Sequence, residues 1–148
     1  MKTALFTGTF DPYTIGHHSV VMRALQLFDR VVIGVGVNER KQTVLTAQER
    51  CRAIERLYAG EPRVEVTAYA DLTVNLASRV GAACILRGVR SASDFEYERQ
   101  QADLNRRIGH IETVLLYAEP GMESVSSSAV RELEKFGYPI DSFIPHKL

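Results

Sequence analysis

The chain has no tryptophan, only two cysteines and no excess of charge of either sign. Its 18 Lys and Arg residues balance 18 Asp and Glu residues, so no overall electrostatic field favours nucleic acid or an anionic membrane surface. No apolar run approaches the roughly 20 residues that a membrane-spanning helix needs. We therefore expect a cytoplasmic protein that binds neither nucleic acid nor membrane, and in which any phosphate site is formed by local groups.

The two cysteines, Cys51 and Cys84, stand alone, with neither a CxxC pair nor a histidine at metal-ligand spacing. This scarcity argues against a disulfide or a zinc site and predicts two buried free thiols. The chain also lacks a linker, an internal repeat or a low-complexity segment. With 148 residues, 45% of them hydrophobic, it is expected to fold as one domain spanning residues 1–148.

Short apolar runs alternate with helical patterns along the chain. Strands are predicted at residues 1–6, 31–37, 64–68, 84–86 and 113–117. Such alternation, with short connections, favours a parallel sheet covered by helices on both faces. We predict an α/β fold with a Rossmann-like, doubly wound sheet of five parallel strands in the order 3-2-1-4-5. Gly34 and Gly36 in the second strand predict that a helix or a ligand approaches the backbone closely.

Capping boxes predict where two of the helices begin. Thr46 with Glu49 starts one helix, and Ser93 with Glu96 starts another. The second helix is long, and its apolar side is expected to face inward. That side carries Tyr97, Gln101, Leu104 and Ile108.

The segment LFTGTFDPYTIGH, residues 5–17, joins the first strand to the first helix. A glycine-bearing loop before a helix N-terminus offers unpaired N–H groups and the positive end of the helix dipole, which together form an anion site. Thr7 and Thr9 add hydroxyls to it, and His17 and His18 add imidazoles. The alternative is a plain strand-to-helix turn whose histidines only start the helix.

Two further polar segments follow the fourth and fifth strands. Arg87 and Arg90 end the fourth strand, which neighbours the first strand in the predicted order, so both could reach a phosphate at the first loop. Glu98, in the next helix, could hold a ribose or an arginine. Serines 126–128 direct hydroxyl and N–H groups toward one place before the last helix. The alternatives are solvated surface arginines and a helix N-cap with extra serines.

These segments carry a family resemblance. GTFDPYTIGH resembles the T/HxGH loop of the nucleotidyltransferase superfamily, which holds the phosphates of a nucleoside triphosphate. RGVRSASDFEYERQQADLNRRI and VSSSAVREL resemble the central segment and the third motif of the bacterial phosphopantetheine adenylyltransferases. The resemblance implies reversible transfer of AMP from ATP to 4′-phosphopantetheine, giving dephospho-coenzyme A and pyrophosphate in coenzyme A biosynthesis, by direct in-line attack on the α-phosphate. It also implies Mg²⁺ that bridges the triphosphate, and a homohexamer.

The same resemblance implies the roles of individual residues, without a side-chain ligand for the metal. Catalysis is assigned to Thr9, His17, Lys41 and Arg90. Binding of the acceptor, 4′-phosphopantetheine, is assigned to Thr9, Lys41, Thr73 and Arg87. Binding of ATP is assigned to Thr9, Phe10, His17, Gly88, Val89, Arg90, Glu98, Met122, Glu123, Ser124, Val125, Ser126, Ser127 and Ser128.

Three features depart from the family pattern. Thr7 stands where proline is usual and is expected to loosen the first loop, and Val125 stands where isoleucine is usual. The sequence ends at Leu148, earlier than in many members, so we expect the final helix to be missing or reduced. Two alternatives stay open: a sister adenylyl- or cytidylyltransferase that uses another phosphorylated acceptor, and a nucleotide-binding module without turnover.

Overall fold

A computed structural model describes residues 1–38 and 40–146, in which strands and helices alternate. The strands are β1 (Thr3–Gly8), β2 (Arg30–Gly36), β3 (Val64–Tyr69), β4 (Cys84–Val89) and β5 (Glu112–Tyr117). The helices are α1 (Ile15–Ala24), α2 (Ala47–Leu57), α3 (Thr73–Val80), α4 (Ala92–Gly109) and α5 (Ser127–Lys135), followed by a 3-10 turn at Asp141–Phe143. No helix in these two ranges is both long and apolar enough to cross a bilayer.

All five strands are parallel and lie in the order β3-β2-β1-β4-β5. This confirms the predicted fold class and strand order. The strand ends differ from the prediction by up to three residues, most of all at β4, where pairing with β5 continues to Val89 opposite Tyr117. Arg87 and Gly88 therefore lie within the strand and not in the loop after it, so the sheet itself sets the direction of the Arg87 side chain.

The sheet separates two apolar cores. Ala4 and Phe6 point to one face and pack with residues of α1 and α2, while Leu5 points to the other face and packs with Leu76 of α3. A Cβ atom at Gly34 would lie 2.8 Å from the Leu76 side chain, so close packing by a helix explains this glycine. Both cysteines are buried and unpaired, as predicted, and burial raises the pKa of each thiol.

The prediction of which side of α4 faces inward is wrong. Tyr97, Leu104 and Ile108 are 58%, 49% and 48% exposed, and Gln101 is also exposed. The helix instead turns a stripe at i, i+4 and i+7 toward the sheet, in which Glu98 is buried and Ala102 and Asn105 are half-buried. Helical periodicity distinguishes two faces but does not show which one meets the sheet.

The helix starts are partly as predicted. Thr46 caps α2, since its hydroxyl accepts a hydrogen bond from the Glu49 N–H. The second predicted cap is wrong: Ser93 lies inside α4, and Ser91 is the N-cap, accepting from the Asp94 N–H at 3.2 Å. Asp94 also accepts from the Arg90 N–H, which favours a start two residues earlier.

Candidate functional site

A cavity of about 560 Å³ opens at the carboxyl ends of β1 and β4, where the strand order reverses. This is the position at which open parallel sheets bind ligands. A smaller cavity of about 290 Å³ adjoins it on the side of β3 and α4. Thr9, Lys41, Arg87 and Glu98 line both cavities, so two ligands could meet at these residues.

Most of the predicted site residues lie around these cavities. The larger one is lined by Thr9, Phe10, His17, Lys41, Arg87, Gly88, Val89, Arg90, Glu98, Met122, Val125, Ser126, Ser127 and Ser128. Thr73 lines only the smaller cavity, where its hydroxyl lies 3.1 Å from that of Tyr69. Glu123 and Ser124 line neither cavity, and the Glu123 carboxylate accepts a hydrogen bond from the Gly121 N–H.

The start of α1 fixes the imidazole of His17. The Thr14 N–H donates to His17 Nδ1 at 2.9 Å, and the Thr14 hydroxyl accepts from the His17 N–H at 3.4 Å. This is a capping box with histidine in place of the usual glutamate. Because the backbone N–H can only donate, Nδ1 is the acceptor and the ring proton lies on Nε2.

Aromatic rings hold the same imidazole from several sides. The ring centroids of Phe10, Tyr13 and Phe6 lie 4.9, 5.3 and 6.2 Å from that of His17. Burial, followed by the charges of Arg87 and Arg90, lowers the pKa of His17 to about 3. His17 is thus a neutral hydrogen-bond donor at physiological pH.

Arg87 is held in a fixed position between α4 and β1. Its Nε and Nη2 atoms donate to the Glu98 carboxylate at 2.8 to 3.0 Å, and its Nη1 donates to the Thr7 carbonyl and, at 3.3 Å, to the Thr7 hydroxyl. Of the two roles open to Glu98, the structure shows the contact with an arginine. Thr7, at the position where proline is usual in the family, is buried within β1 and accepts two of these hydrogen bonds.

Two other cationic side chains, more exposed than Arg87, lie at the same carboxyl ends of the strands. Arg90 contacts Asp94 at 3.3 Å, and both side chains remain partly exposed. Lys41 reaches the larger cavity from the loop after β2, and its Nζ lies 3.5 Å from the Thr9 hydroxyl. Together with the N-terminus of α1, these side chains bring hydrogen-bond donors to a cavity whose lining also carries four carboxylates: Asp11, Asp94, Glu98 and Glu119.

The serine segment combines capping with contacts to the first loop. Ser126 is the N-cap of α5 and accepts from the Ala129 N–H at 3.1 Å, in agreement with the alternative stated for it. Ser127 donates to the Pro12 carbonyl at 2.7 Å. The segment therefore places the first turn of α5, with its unpaired N–H groups, against the first loop and the cavity.

Four contributing residues were not predicted: Asp11, Thr14, Arg50 and Arg131. The Asp11 carboxylate accepts from the N–H groups of Val44 and Leu45 and so joins the first loop to the segment before α2. The T-x-x-H spacing could have indicated Thr14. No local pattern distinguishes Arg50 from the exposed arginines of the same helix.

Comparisons with known proteins identify proteins that are similar to this chain. Residues 5–133 match the family model described as cytidylyltransferase-like. A phosphopantetheine adenylyltransferase of Phocaeicola vulgatus is 51% identical over 145 residues, which are 98% of this chain and 96% of that protein. The one from Bacteroides fragilis is 49% identical, with 98% and 97% covered.

A solved structure shares the fold at much lower identity. It is a bifunctional NMN adenylyltransferase/ADP ribose pyrophosphatase from Francisella tularensis, with a TM-score of 0.68 and 15% identity. The match covers 97% of this chain and 44% of that longer one. The similarity lies in the fold, including the carboxyl ends of the parallel strands, where the two cavities of this chain lie.

Proposed function

This chain belongs to the phosphopantetheine adenylyltransferase family, and from that premise we propose that its site transfers AMP from ATP to 4′-phosphopantetheine in the cytoplasm. The products are dephospho-coenzyme A and pyrophosphate, in coenzyme A biosynthesis. The observation that supports this most strongly is the pair of adjoining cavities. Two phosphorylated substrates need two spaces that meet at cationic side chains, and Lys41 and Arg87 line both spaces.

The reaction requires no covalent intermediate with the protein. An oxygen of the acceptor phosphate attacks the α-phosphorus of ATP, the bond from that phosphorus to the β-phosphate oxygen breaks, and pyrophosphate leaves. A phosphate dianion is already a competent nucleophile. The protein therefore has to align two polyanions and offset the charge between them. The neutral Nε2–H of His17 and the Thr9 hydroxyl suit the α-phosphate, and Arg90 with the first turn of α5 suits the leaving pyrophosphate.

Magnesium is proposed to enter bound to the triphosphate. Among residues 1–38 and 40–146, no group of three or more His, Cys, Asp and Glu side chains could hold a metal ion. The carboxylates that line the larger cavity are already engaged: Glu98 with Arg87, Asp94 with Arg90, Asp11 with backbone N–H groups, and Glu119 with Ser19 and Arg23. The phosphates are then the main ligands of the ion, which we treat as part of the substrate MgATP.

Lys41→Ala is expected to raise the KM for 4′-phosphopantetheine by about tenfold, or ~1.4 kcal/mol, because one charge-assisted contact is lost. The KM for ATP should change much less. Arg90→Ala should show the opposite preference, since we assign ATP to the larger cavity and Arg90 lines that cavity alone. Steady-state kinetics with each substrate varied in turn measure both effects.

The matched control for this prediction is Arg40→Ala. Arg40 is exposed, precedes Lys41 and lines neither cavity. Its removal changes the net charge by the same amount and should leave both KM values within about twofold. A Lys41 variant whose KM for ATP rises as much as its KM for 4′-phosphopantetheine would overturn the assignment of Lys41 to the acceptor.

Two alternatives are separated by one experiment. Magnesium-dependent pyrophosphate release from ATP is measured with 4′-phosphopantetheine, nicotinamide mononucleotide and glycerol phosphate as acceptors. Our proposal requires turnover with the first compound only. Equal turnover with another acceptor would indicate a sister transferase, and ATP binding without turnover would indicate a nucleotide-binding module.

We also propose a homo-oligomer, with a hexamer as the expected assembly. Large apolar side chains lie exposed on one side of α4 and on β5: Tyr97, Leu104, Ile108 and Tyr117 are 58%, 49%, 48% and 78% exposed. An apolar surface of this kind on a soluble protein is commonly an interface with another chain. It would also account for the apolar stripe of α4 that faces away from the sheet.

Light scattering at micromolar concentration should therefore give a mass near six times that of a single chain. Ile108→Arg is expected to lower the mass, because the charge would be buried at the interface. Leu27→Arg is the matched control, since Leu27 is 61% exposed but follows α1. A monomer in the wild type, or an equal loss of mass in both variants, would contradict the proposal.

A further inference from the structure

Three arginines from three different elements donate to alternate carbonyl groups at the end of β1 and in the first loop. The pairs are Arg87 with Thr7, Arg50 with Thr9, and Arg131 with Asp11. Arg87 and Arg131 also line the larger cavity, but Arg50 lines neither cavity and is only 3% exposed. Arg50 therefore cannot contact a substrate and has to act through the loop.

We propose that Arg50 is a positioning residue, which orients the Thr9–Phe10 peptide so that its N–H and the Thr9 hydroxyl face the phosphates of ATP. The inference rests on the proposed function for the identity of the ligand. Arg50 Nη1 donates to the Thr9 carbonyl at 2.5 Å. Because a trans peptide is planar, its N–H points opposite to its C=O, so the Phe10 N–H points away from Arg50.

The Phe10 N–H is available for a ligand. Within the described ranges, no backbone or side-chain group accepts a hydrogen bond from it. Phe10 itself is buried and lines the larger cavity. A buried N–H without a protein partner at a cavity wall is a donor that a phosphate oxygen would satisfy.

The backbone at this point needs external support. Phe10 has φ of 55°, in the left-handed region that bulky side chains disfavour. Arg50 holds the peptide before Phe10, and the Asp11 carboxylate anchors the residue after it to the Val44 and Leu45 N–H groups. Arg50 Nε also donates to the Leu45 carbonyl at 3.2 Å, so both anchors hold the same segment before α2.

The positive charge of Arg50 has no carboxylate partner in the described part of the chain. Its partners are the carbonyls of Thr9, Gly36 and Leu45, and no carboxylate in the described part of the chain forms an ion pair with it. A buried cation behind the loop makes the electrostatic potential at the phosphates more positive. Its effect is therefore expected to depend on the ligand's phosphates and not on its base or sugar.

The test compares ATP with adenosine, which has the same base and ribose but no phosphates. Dissociation constants are measured by calorimetry, directly for ATP and by competition against ATP for adenosine, on wild type, Arg50→Met and Arg50→Lys. Arg50→Met should weaken the binding of ATP by at least about tenfold and that of adenosine by less than about twofold, because only the donors to the phosphates are misplaced. Arg50→Lys keeps the charge and should recover part of the loss. Arg52→Met is the matched control, since Arg52 is exposed on the same helix, and both constants should stay unchanged.

Equal weakening of ATP and adenosine would show a merely structural role and overturn the proposal, as would unchanged ATP binding. If Arg50→Met does not fold by circular dichroism, the ratio of the two constants in Arg50→Lys decides between the same outcomes. Wild type that binds ATP but releases no pyrophosphate would refute the proposed function and leave this comparison intact.

Discussion

Replacing His17 by alanine is expected to lower kcat by about 10²–10⁴-fold, the range for losing a donor directed at charge in the transition state. The structure gives the reason: Thr14 holds Nδ1 as an acceptor, so the Nε2 proton is the one available to the α-phosphate. The fold should persist, as judged by circular dichroism. Single-turnover kinetics would separate this loss in chemistry from changes in binding.

The control for this prediction is the neighbouring histidine. His18 Nδ1 lies 2.8 Å from the Tyr58 hydroxyl, which in turn lies 2.6 Å from that of Tyr13, and His18 does not line either cavity. One residue along a helix turns a side chain by about 100°. His18→Ala should therefore change kcat by less than about threefold, and similar losses in both variants would show that the wrong imidazole was chosen.

The pH dependence of stability offers a second measurement on His17. Folding lowers its pKa from 6.5 to about 3, so below pH 6.5 the unfolded chain binds a proton that the folded chain does not. The contribution of this group to stability is present above pH 6.5 and is lost as the pH falls toward 3. The wild type should therefore lose more stability than His17→Ala between pH 6.5 and pH 4, in urea unfolding at each pH.

The second large effect is expected at Arg87. Arg87→Ala removes the partner of Glu98, which is 6% exposed, and an unpaired buried carboxylate destabilises a fold by about 3 kcal/mol or more. The same variant should raise the KM for 4′-phosphopantetheine by at least about tenfold, because Arg87 lines both cavities. Urea unfolding and steady-state kinetics measure the two effects separately.

A double variant distinguishes these two contributions. Arg87→Met with Glu98→Gln removes both charges at nearly constant volume, so most of the stability should return. Binding of the acceptor should stay weak, since the cation is still absent. A double variant as unstable as Arg87→Ala would show that the unpaired carboxylate is not the cause of the loss.

Much of the fold was predictable because burial on both faces of a parallel sheet leaves a clear apolar pattern. The runs around Phe6, Val32 and Ile85 gave the strands, and the glycine loop before His17 gave the start of α1. The face of α4 was not predictable in this way. Leu104 and Ile108 form an apolar stripe whether it packs on the sheet or on another chain, and periodicity alone does not distinguish the two.

The contacts that support the site also could not be predicted from local sequence patterns. Arg50 contacts Thr9, 41 residues away, and Arg131 contacts Asp11, 120 residues away. Contacts over such separations leave no spacing in a single sequence. The Thr14 cap on His17 is different, because both residues are local, and its T-x-x-H spacing could be searched for in other strand-to-helix loops.

In the proposed mechanism, this site only positions two substrates for a single displacement at the α-phosphorus. The most direct measurement is the amount of pyrophosphate against the amount of dephospho-coenzyme A, with 4′-phosphopantetheine limiting and MgATP in excess, alongside the mass of the protein after incubation with MgATP alone. We expect one pyrophosphate for each dephospho-coenzyme A, none without the acceptor, and an unmodified protein. Pyrophosphate release without acceptor, or AMP attached to the protein, would contradict it.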